Sequence, residues 1–137
     1  MKAVIQEEKT GCGIASIAAV VQKPYSEVKA KANSLGIFAE DEKLFSDTHY
    51  VRTLLREYGI KVSREEKPFT SWEGLPDTAL LSIKYHKESD HPFWHWVVFH
   101  RENNHPVVFD SAAYLEKNER VDFEQMKPKW YLEVLKT

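Results

Sequence analysis

The chain has a single cysteine, and the residues around it are suited to nucleophilic chemistry. Cys12 lies between two glycines, directly before a run of small apolar residues. A cysteine nucleophile needs a base that takes its proton and hydrogen-bond donors that receive the oxyanion formed at a carbonyl. At a helix start, unpaired main-chain N–H groups and the helix dipole favour both the thiolate and the oxyanion. We therefore predict that Cys12 is a nucleophile, with Gly13 leaving room for a substrate; the plainer alternative is a small core residue.

His95 is the best candidate for the base among the six histidines. It lies within the strand-like run Trp-His-Trp-Val-Val-Phe at residues 94–99. A polar residue in such a run usually faces a specific partner, although a histidine there is often purely structural. The other five histidines lie in polar connections or at the predicted ends of elements.

The pairing of two predicted strands suggests a partner for His95. If residues 102–103 form a two-residue turn, Asp110 stands directly opposite His95, on the same face and with Cβ atoms about 5 Å apart. Asp110 could then bind one ring nitrogen and leave the other for the nucleophile. If residues 103–104 form the turn instead, Ala112 opposes His95. The pairing supports the partnership without establishing it, since Asp110 alone is typical of a turn at a strand end.

Gln6 is the candidate oxyanion donor. It lies six residues before Cys12, far enough to turn back beside the sulfur. Its side-chain amide is a neutral N–H donor suited to an oxyanion. Gln6 alone would carry no signal.

The elements that would position these residues change in type along the chain. Helical patterns come first, ended by Pro24, Gly36 and Gly59. Patterns typical of strands follow, and residues 115–129 are a lid or a surface loop. This order predicts an α+β domain with N-terminal helices packed on a C-terminal antiparallel sheet. The predicted helices cover residues 14–21, 25–35 and 50–58, and the predicted strands cover 60–65, 78–85, 93–100, 106–110 and 130–135.

Length and composition exclude several classes of protein. A chain of 137 residues with 42% hydrophobic and 29% charged residues is expected to form one globular domain, over residues 1–137. A net charge of −2 and no evident basic face argue against a nucleic-acid partner. No apolar run approaches the roughly 20 residues that span a bilayer, and no signal peptide is evident, so we expect a cytoplasmic location. A lone cysteine fits a reducing compartment.

The four candidate residues together resemble the papain-like cysteine peptidases, most closely the C39-like branch. That branch includes the leader-peptide-cleaving domains of bacteriocin exporters. Its pattern appears here as Gln6, the Cys-Gly-Ile-Ala segment at 12–15, the His-Trp-Val-Val-Phe segment at 95–99 and the Val-Val-Phe-Asp segment at 107–110. The resemblance covers nearly the whole chain. Ser111 departs from it, because the family often has proline after the aspartate.

The resemblance implies a role for each residue. Cys12 would be the nucleophile, His95 the general base and acid, Asp110 the residue that orients the imidazole, and Gln6 the oxyanion donor. The substrate would be a peptide or protein amide, without a cofactor. The exporters' membrane and ATP-binding parts have no counterpart here, so a role in bacteriocin maturation is not implied. The sequence does not indicate an oligomeric state.

Three alternatives remain open from the sequence. The same fold hosts deamidases and transamidases, which use the same thiolate and oxyanion hole on an amide. The fold could also be a catalytically inactive binding module. A zinc site is the least favoured alternative, because His91 and His95 share a strand face but His100 falls on the other.

Overall fold

The computed structural model describes residues 1–135, so the last two residues of the predicted domain lie outside it. Helices come first along the chain and an antiparallel sheet follows, which confirms the predicted α+β class. The helices are α1 (Cys12–Val21), α2 (Tyr25–Ser34), α3 (His49–Glu57) and the short α4 (Phe123–Met126), with a 3-10 helix at Glu42–Ser46. The strands are β1 (Lys61–Val62), β2 (Lys67–Pro68), β3 (Thr78–Glu88), β4 (His91–Glu102), β5 (His105–Phe109), β6 (Glu119–Arg120) and β7 (Trp130–Leu135).

Helix α1 is buried on all sides because its residues are small and apolar. Every residue from Cys12 to Val20 is buried. The helix packs against α2, α3 and strand β4. It ends where Gln22 adopts a left-handed conformation with φ +58° and its N–H bonds the Ala18 carbonyl. The helix thus fixes its first residue, Cys12, against the sheet.

The sheet separates two hydrophobic clusters. Its strand order is β1-β7-β3-β4-β5-β6, and β2 also pairs with β7. Successive residues of a strand face opposite sides. Trp96 and Val98 of β4 therefore pack with the helices, whereas Val97 and Phe99 pack with Leu81 and other residues on the far side. Strand β4 lies in the sheet interior, between β3 and β5.

The β4–β5 hairpin corrects the pairing that would place Asp110 opposite His95. The turn is at Asn103 and Asn104, with φ +52° and +65°, not at residues 102–103. Asparagine is among the few residues that tolerate a positive φ, and both central residues of a two-residue hairpin of this kind need a positive φ. The asparagine pair was the signal for the correct turn. The pairing differs by two residues from the favoured one, so faces are preserved.

Two further differences concern the lengths of elements. Strands β3 and β4 extend through the polar segment 86–92, and their turn is at Ser89 and Asp90, again with positive φ values of 50° and 65°. The segment 115–129 is not a plain surface loop. It contains β6, which pairs with β5, and α4.

Candidate active site

The sulfur of Cys12 lies beside the part of strand β4 that does not pair with β5. Strand β5 ends at Phe109, opposite Val98, so the β4–β5 ladder stops before Trp96. The main-chain N–H of Trp96 instead donates to Cys12 Sγ, with an N–S distance of 3.5 Å. No side chain among residues 1–135 caps the start of α1. The first helical N–H groups are therefore not occupied by a capping residue, as an oxyanion site requires.

The glycines beside Cys12 are explained by two tyrosines. A Cβ atom on Gly13 would lie 2.0 Å from Tyr50 Oη, and one on Gly11 would lie 2.3 Å from Tyr25 Oη. Both tyrosines are buried. The prediction that Gly13 leaves room for a substrate was wrong, because that room is filled by Tyr50. The glycines allow the helix start to pack closely against the rest of the domain.

His95 and Asp110 form a close pair although the hairpin does not set them opposite each other. Asp110 follows the last residue of β5, and its Oδ1 lies 2.7 Å from His95 Nε2. The two residues share a face, and a diagonal neighbour in a sheet is within reach of such side chains. The Asp110 side chain is fully buried, and that of His95 is 15% exposed. Because Nε2 faces Asp110, Nδ1 is the nitrogen left for Cys12.

The contacts of His95 favour its charged form. Burial of the ring lowers the pKa of His95, but hydrogen bonds to Asp110 and Cys12 outweigh burial and raise it to about 10. Burial raises the pKa of Asp110, whereas the bond to His95, the Ala112 N–H and Arg120 together lower it to about 2. His95 and Asp110 therefore form one hydrogen-bonded pair, and the Cys12 thiol affects the ionisation of the same imidazole.

Arg120 and Asn118 are contacts of Asp110 that the sequence did not single out. Arg120 Nη1 donates to Asp110 Oδ2 at 3.0 Å, while Asp110 Oδ1 faces His95. The Asn118 side chain donates to the Asp110 carbonyl at 2.7 Å and to the Ala112 carbonyl at 2.9 Å. Both residues lie in the charged segment 115–129. An arginine in such a segment is usually solvated, so no sequence signal separated it from its neighbours.

Gln6 lies near the site but its amide is engaged elsewhere. Its Nε2 donates to the carbonyls of Glu8, at 2.9 Å, and of Lys9, at 3.2 Å. Its Oε1 accepts a hydrogen bond from Ser111 Oγ at 2.7 Å, and its main-chain N–H donates to the Ser111 carbonyl. Gln6 is thus tied to the residue after Asp110, and both of its amide hydrogens are directed at the loop before Cys12.

Two cavities meet at His95. The first, of about 250 Å³, is lined by Cys12, His95, Trp94 and five further residues, Lys9, Lys84, His86, Glu88 and Phe93. The second, of about 450 Å³, is lined by Gln6, His95 and the residues around them. A cavity of about 470 Å³ elsewhere, beside Trp72 and Arg101, contains none of the four predicted site residues.

The described residues contain neither a group of three or more potential metal ligands nor a helix long and apolar enough to cross a membrane. The Nε2 atom of His95 is bonded to Asp110.

Comparison with solved structures identifies the fold. A double glycine motif protease from an AMS/PCAT transporter, crystallised in complex with the leader peptide, aligns with a TM-score of 0.64 and 18% identity, covering 98% of this chain and 91% of that one. The peptidase domain of Streptococcus ComA, a bifunctional ABC transporter involved in a quorum-sensing pathway, aligns with a TM-score of 0.66 and 15% identity, covering 99% and 98%. No protein-family model and no curated protein matches the sequence. The chain therefore has the papain-like fold of C39 peptidase domains, as predicted.

Proposed function

We propose that this chain is a cysteine-dependent acyl-transfer enzyme that acts on a peptide or protein amide, as a peptidase of the C39-like type. The observation that carries the proposal is the His95–Asp110 hydrogen bond beside Cys12, which begins a helix and lines the same cavity as His95. The fold supports it, since the two solved structures compared above are described as a protease and a peptidase domain.

The geometry suits two-stage acyl transfer. The Cys12 thiolate attacks the carbonyl carbon, and the carbonyl electron pair moves to oxygen. The tetrahedral intermediate collapses, the C–N bond breaks, and the leaving amine takes a proton from His95. His95 then removes a proton from water, which attacks the thioester and releases the acid and the thiolate. Asp110 holds Nε2 throughout, which keeps Nδ1 directed at the reacting atoms.

Gln6 and the Cys12 N–H are the proposed oxyanion donors. The Cys12 N–H belongs to the uncapped start of α1. The Gln6 amide donates to the carbonyls of Glu8 and Lys9, so it must exchange one of these bonds for the oxyanion when substrate binds. This requirement predicts a small movement of the loop at residues 7–10 on binding.

The first test measures activation of the thiol. Iodoacetamide should alkylate Cys12 of the wild type near pH 6 at least about tenfold faster than it alkylates a small free thiol, because the imidazolium stabilises the thiolate. His95→Ala should reduce the rate to that of the free thiol. If wild type and variant both react no faster than the free thiol, Cys12 is not activated and the binding-module alternative is favoured.

The second test identifies the reaction. A peptide with a double-glycine motif is the first probe, because one solved structure of this fold is named for that motif. Mass spectrometry of this peptide and of a glutamine-containing protein separates the outcomes. Two fragments indicate proteolysis, whereas ammonia release without chain cleavage indicates deamidation or transamidation. Cys12→Ala is the control for both reactions.

A further inference from the structure

Arg120 has contacts that suit a supporting role at the site. We propose that Arg120 is a positioning residue for the reaction: its guanidinium holds the Asp110 carboxylate so that Oδ1 faces His95, and Asp122 holds the guanidinium. The role for catalysis rests on the proposed function. The contact between Arg120 and Asp110 does not.

The hydrogen bonds divide the Asp110 carboxylate between two partners. Oδ1 accepts from His95, at 2.7 Å, and from the Ala112 main-chain N–H, at 3.1 Å. Oδ2 accepts from Arg120 Nη1 at 3.0 Å. A carboxylate bound through both oxygens has its torsion angle fixed, whereas one bound through a single oxygen can rotate. Arg120 therefore fixes the orientation of the carboxylate plane relative to the imidazole.

Only an arginine can make this set of contacts. Its Nε donates to Asp122 Oδ1 at 2.9 Å and its Nη2 donates to Asp122 Oδ2 at 2.7 Å. This bidentate contact leaves Nη1 for Asp110. A lysine has one ammonium on a flexible stem and cannot form a planar fork with one carboxylate while binding a second. The Arg120 side chain is only 16% exposed, so these bonds are little weakened by solvent.

The main chain around Asp110 is held by the same segment. Asp110 N–H donates to the Asn118 carbonyl at 2.8 Å, and the Asn118 side chain returns a bond to the Asp110 carbonyl. Strand β6 carries Arg120 opposite Val108 of β5. The position of the guanidinium is therefore set by strand pairing as well as by Asp122.

Few charged groups face this part of the site. In residues 1–135, the charged side chains in contact with the Asp110 carboxylate are His95 on β4 and Arg120 on β6. His95 also faces Cys12 on α1, and Lys9 and Lys84 line the cavities beside it. Substitution of Arg120 leaves His95, Cys12 and the two lysines in place but leaves the Asp122 carboxylate unpaired, and Asp122 interacts electrostatically with Asp110. A change in Asp110 titration therefore reports the loss of the Arg120–Asp122 pair.

The experiment measures Asp110 ionisation and Cys12 reactivity separately. The wild-type Asp110 carboxyl carbon, followed by NMR, should remain ionised down to pH 3, because its pKa is lowered to about 2. In Arg120→Gln it should titrate with a pKa about one unit or more higher and so begin to protonate between pH 3 and 6, because a neighbouring cation is lost. Alkylation of Cys12 by iodoacetamide at pH 6 should fall roughly tenfold, because the imidazole loses its fixed orientation. Arg120→Lys should keep Asp110 ionised and recover only part of the alkylation rate.

Arg101→Gln is the matched control. Arg101 is also a partly buried arginine that binds an aspartate, Asp77, and main-chain carbonyls, but it does not contact Asp110. Its substitution should leave both the Asp110 titration and the alkylation rate at wild-type values. A loss of stability in Arg101→Gln without a change in Asp110 titration would be the general effect of removing a partly buried arginine.

The outcomes separate the two proposals. Wild-type titration of Asp110 in a folded Arg120→Gln variant would overturn the role of Arg120. A wild-type Cys12 that reacts like a free thiol would overturn the proposed function, while a shifted Asp110 titration would still show the contact with Arg120. If Arg120→Gln does not fold, Arg120→Lys decides, because wild-type alkylation in that variant would exclude positioning by the fork.

Discussion

The two sides of the candidate site are held in place by different forces. On the helix side, Cys12 is positioned by close packing: two glycines let tyrosines approach, and no side chain caps the helix start in the described chain. On the sheet side, His95 and Asp110 are positioned by charged hydrogen bonds that continue to Arg120. Both sides are buried, but one depends on volume and the other on charge.

This difference predicts different responses to substitution. An added methyl group should damage the packed side and leave the charges unchanged. Removal of one charge should damage the charged side and leave volumes unchanged. Changes in pH should affect the charged side of the site more than the packed side.

The largest effect is expected for Asp110→Asn, which keeps volume and removes charge. Alkylation of Cys12 at pH 6 should fall by about 100-fold or more, because a neutral amide does not stabilise the imidazolium and its NH2 group must face either His95 or Arg120, both of which are donors. The pKa of His95 should fall, because burial of the ring would no longer be outweighed by the carboxylate. The rate of iodoacetamide labelling and an NMR titration of the His95 ring measure these two effects.

Asp77→Asn is the control for Asp110→Asn. Asp77 pairs with Arg101, is 79% exposed and lies outside the cavities that meet at His95. Its substitution should change neither the labelling rate of Cys12 nor the pKa of His95. If Cys12 in Asp110→Asn is labelled at a rate within threefold of the wild-type rate, the charge of Asp110 does not control the reactivity of Cys12.

Gly13→Ala tests the packed side. The new Cβ would lie 2.0 Å from Tyr50 Oη and 2.6 Å from Tyr50 Cζ, and Tyr50 is buried. The free energy of unfolding should fall by about 3 kcal/mol, despite the better helix propensity of alanine. Urea denaturation measures this value. In the folded fraction, the Asp110 titration should be unchanged, because no charge has moved.

Gly59→Ala separates the clash from backbone strain. Gly59 has φ +74° and no neighbouring atom within 4 Å of an added Cβ. Alanine there should cost about 1 kcal/mol through strain alone. Equal costs at the two glycines would show that the contact with Tyr50 is relieved by a small movement, and the packed side would then be less rigid than its geometry indicates.

The structure of the packed side was easier to predict from the sequence. The small apolar residues after Cys12 predicted a helix over residues 14–21, and α1 covers them and is buried from Cys12 to Val20. The sequence could not predict why Gly13 is glycine, because Tyr50 meets it from another helix. Close contacts between distant elements leave no periodic signal.

The arrangement of the charged side could be predicted only in part from the sequence. The alternation of faces along β4 and β5 placed His95 and Asp110 on the same face. This prediction remained correct although the turn was misplaced, because the pairing was wrong by two residues and a shift of two keeps the face. Arg120 was not predicted, since a short strand in a charged segment has neither length nor alternation to mark it. The hydrogen bonds of Gln6 to Ser111, Glu8 and Lys9 were also beyond the sequence, because they depend on how two loops meet.

A further effect in this comparison is the dependence of stability on pH, to which the charged side should contribute. The pKa of Asp110 is lowered in the folded state to about 2, so its contribution is present above its unfolded value near 4 and is lost as pH falls toward 2. The pKa of His95 is raised to about 10, so its contribution is complete below pH 6.5 and is lost as pH rises toward 10. The free energy of unfolding should therefore vary least between pH 4 and 6.5 and decrease on either side, by about 2 kcal/mol at the acidic end.

Urea denaturation across pH 2 to 10 measures this profile, and His95→Gln identifies its source at the basic end. Glutamine does not titrate, so the decrease between pH 6.5 and 10 should disappear in that variant. Gly13→Ala should lower the whole profile without changing its shape, because packing does not bind protons. A profile whose shape changes with Gly13→Ala would mean that the packed side moves His95, and the two sides would then be one coupled unit.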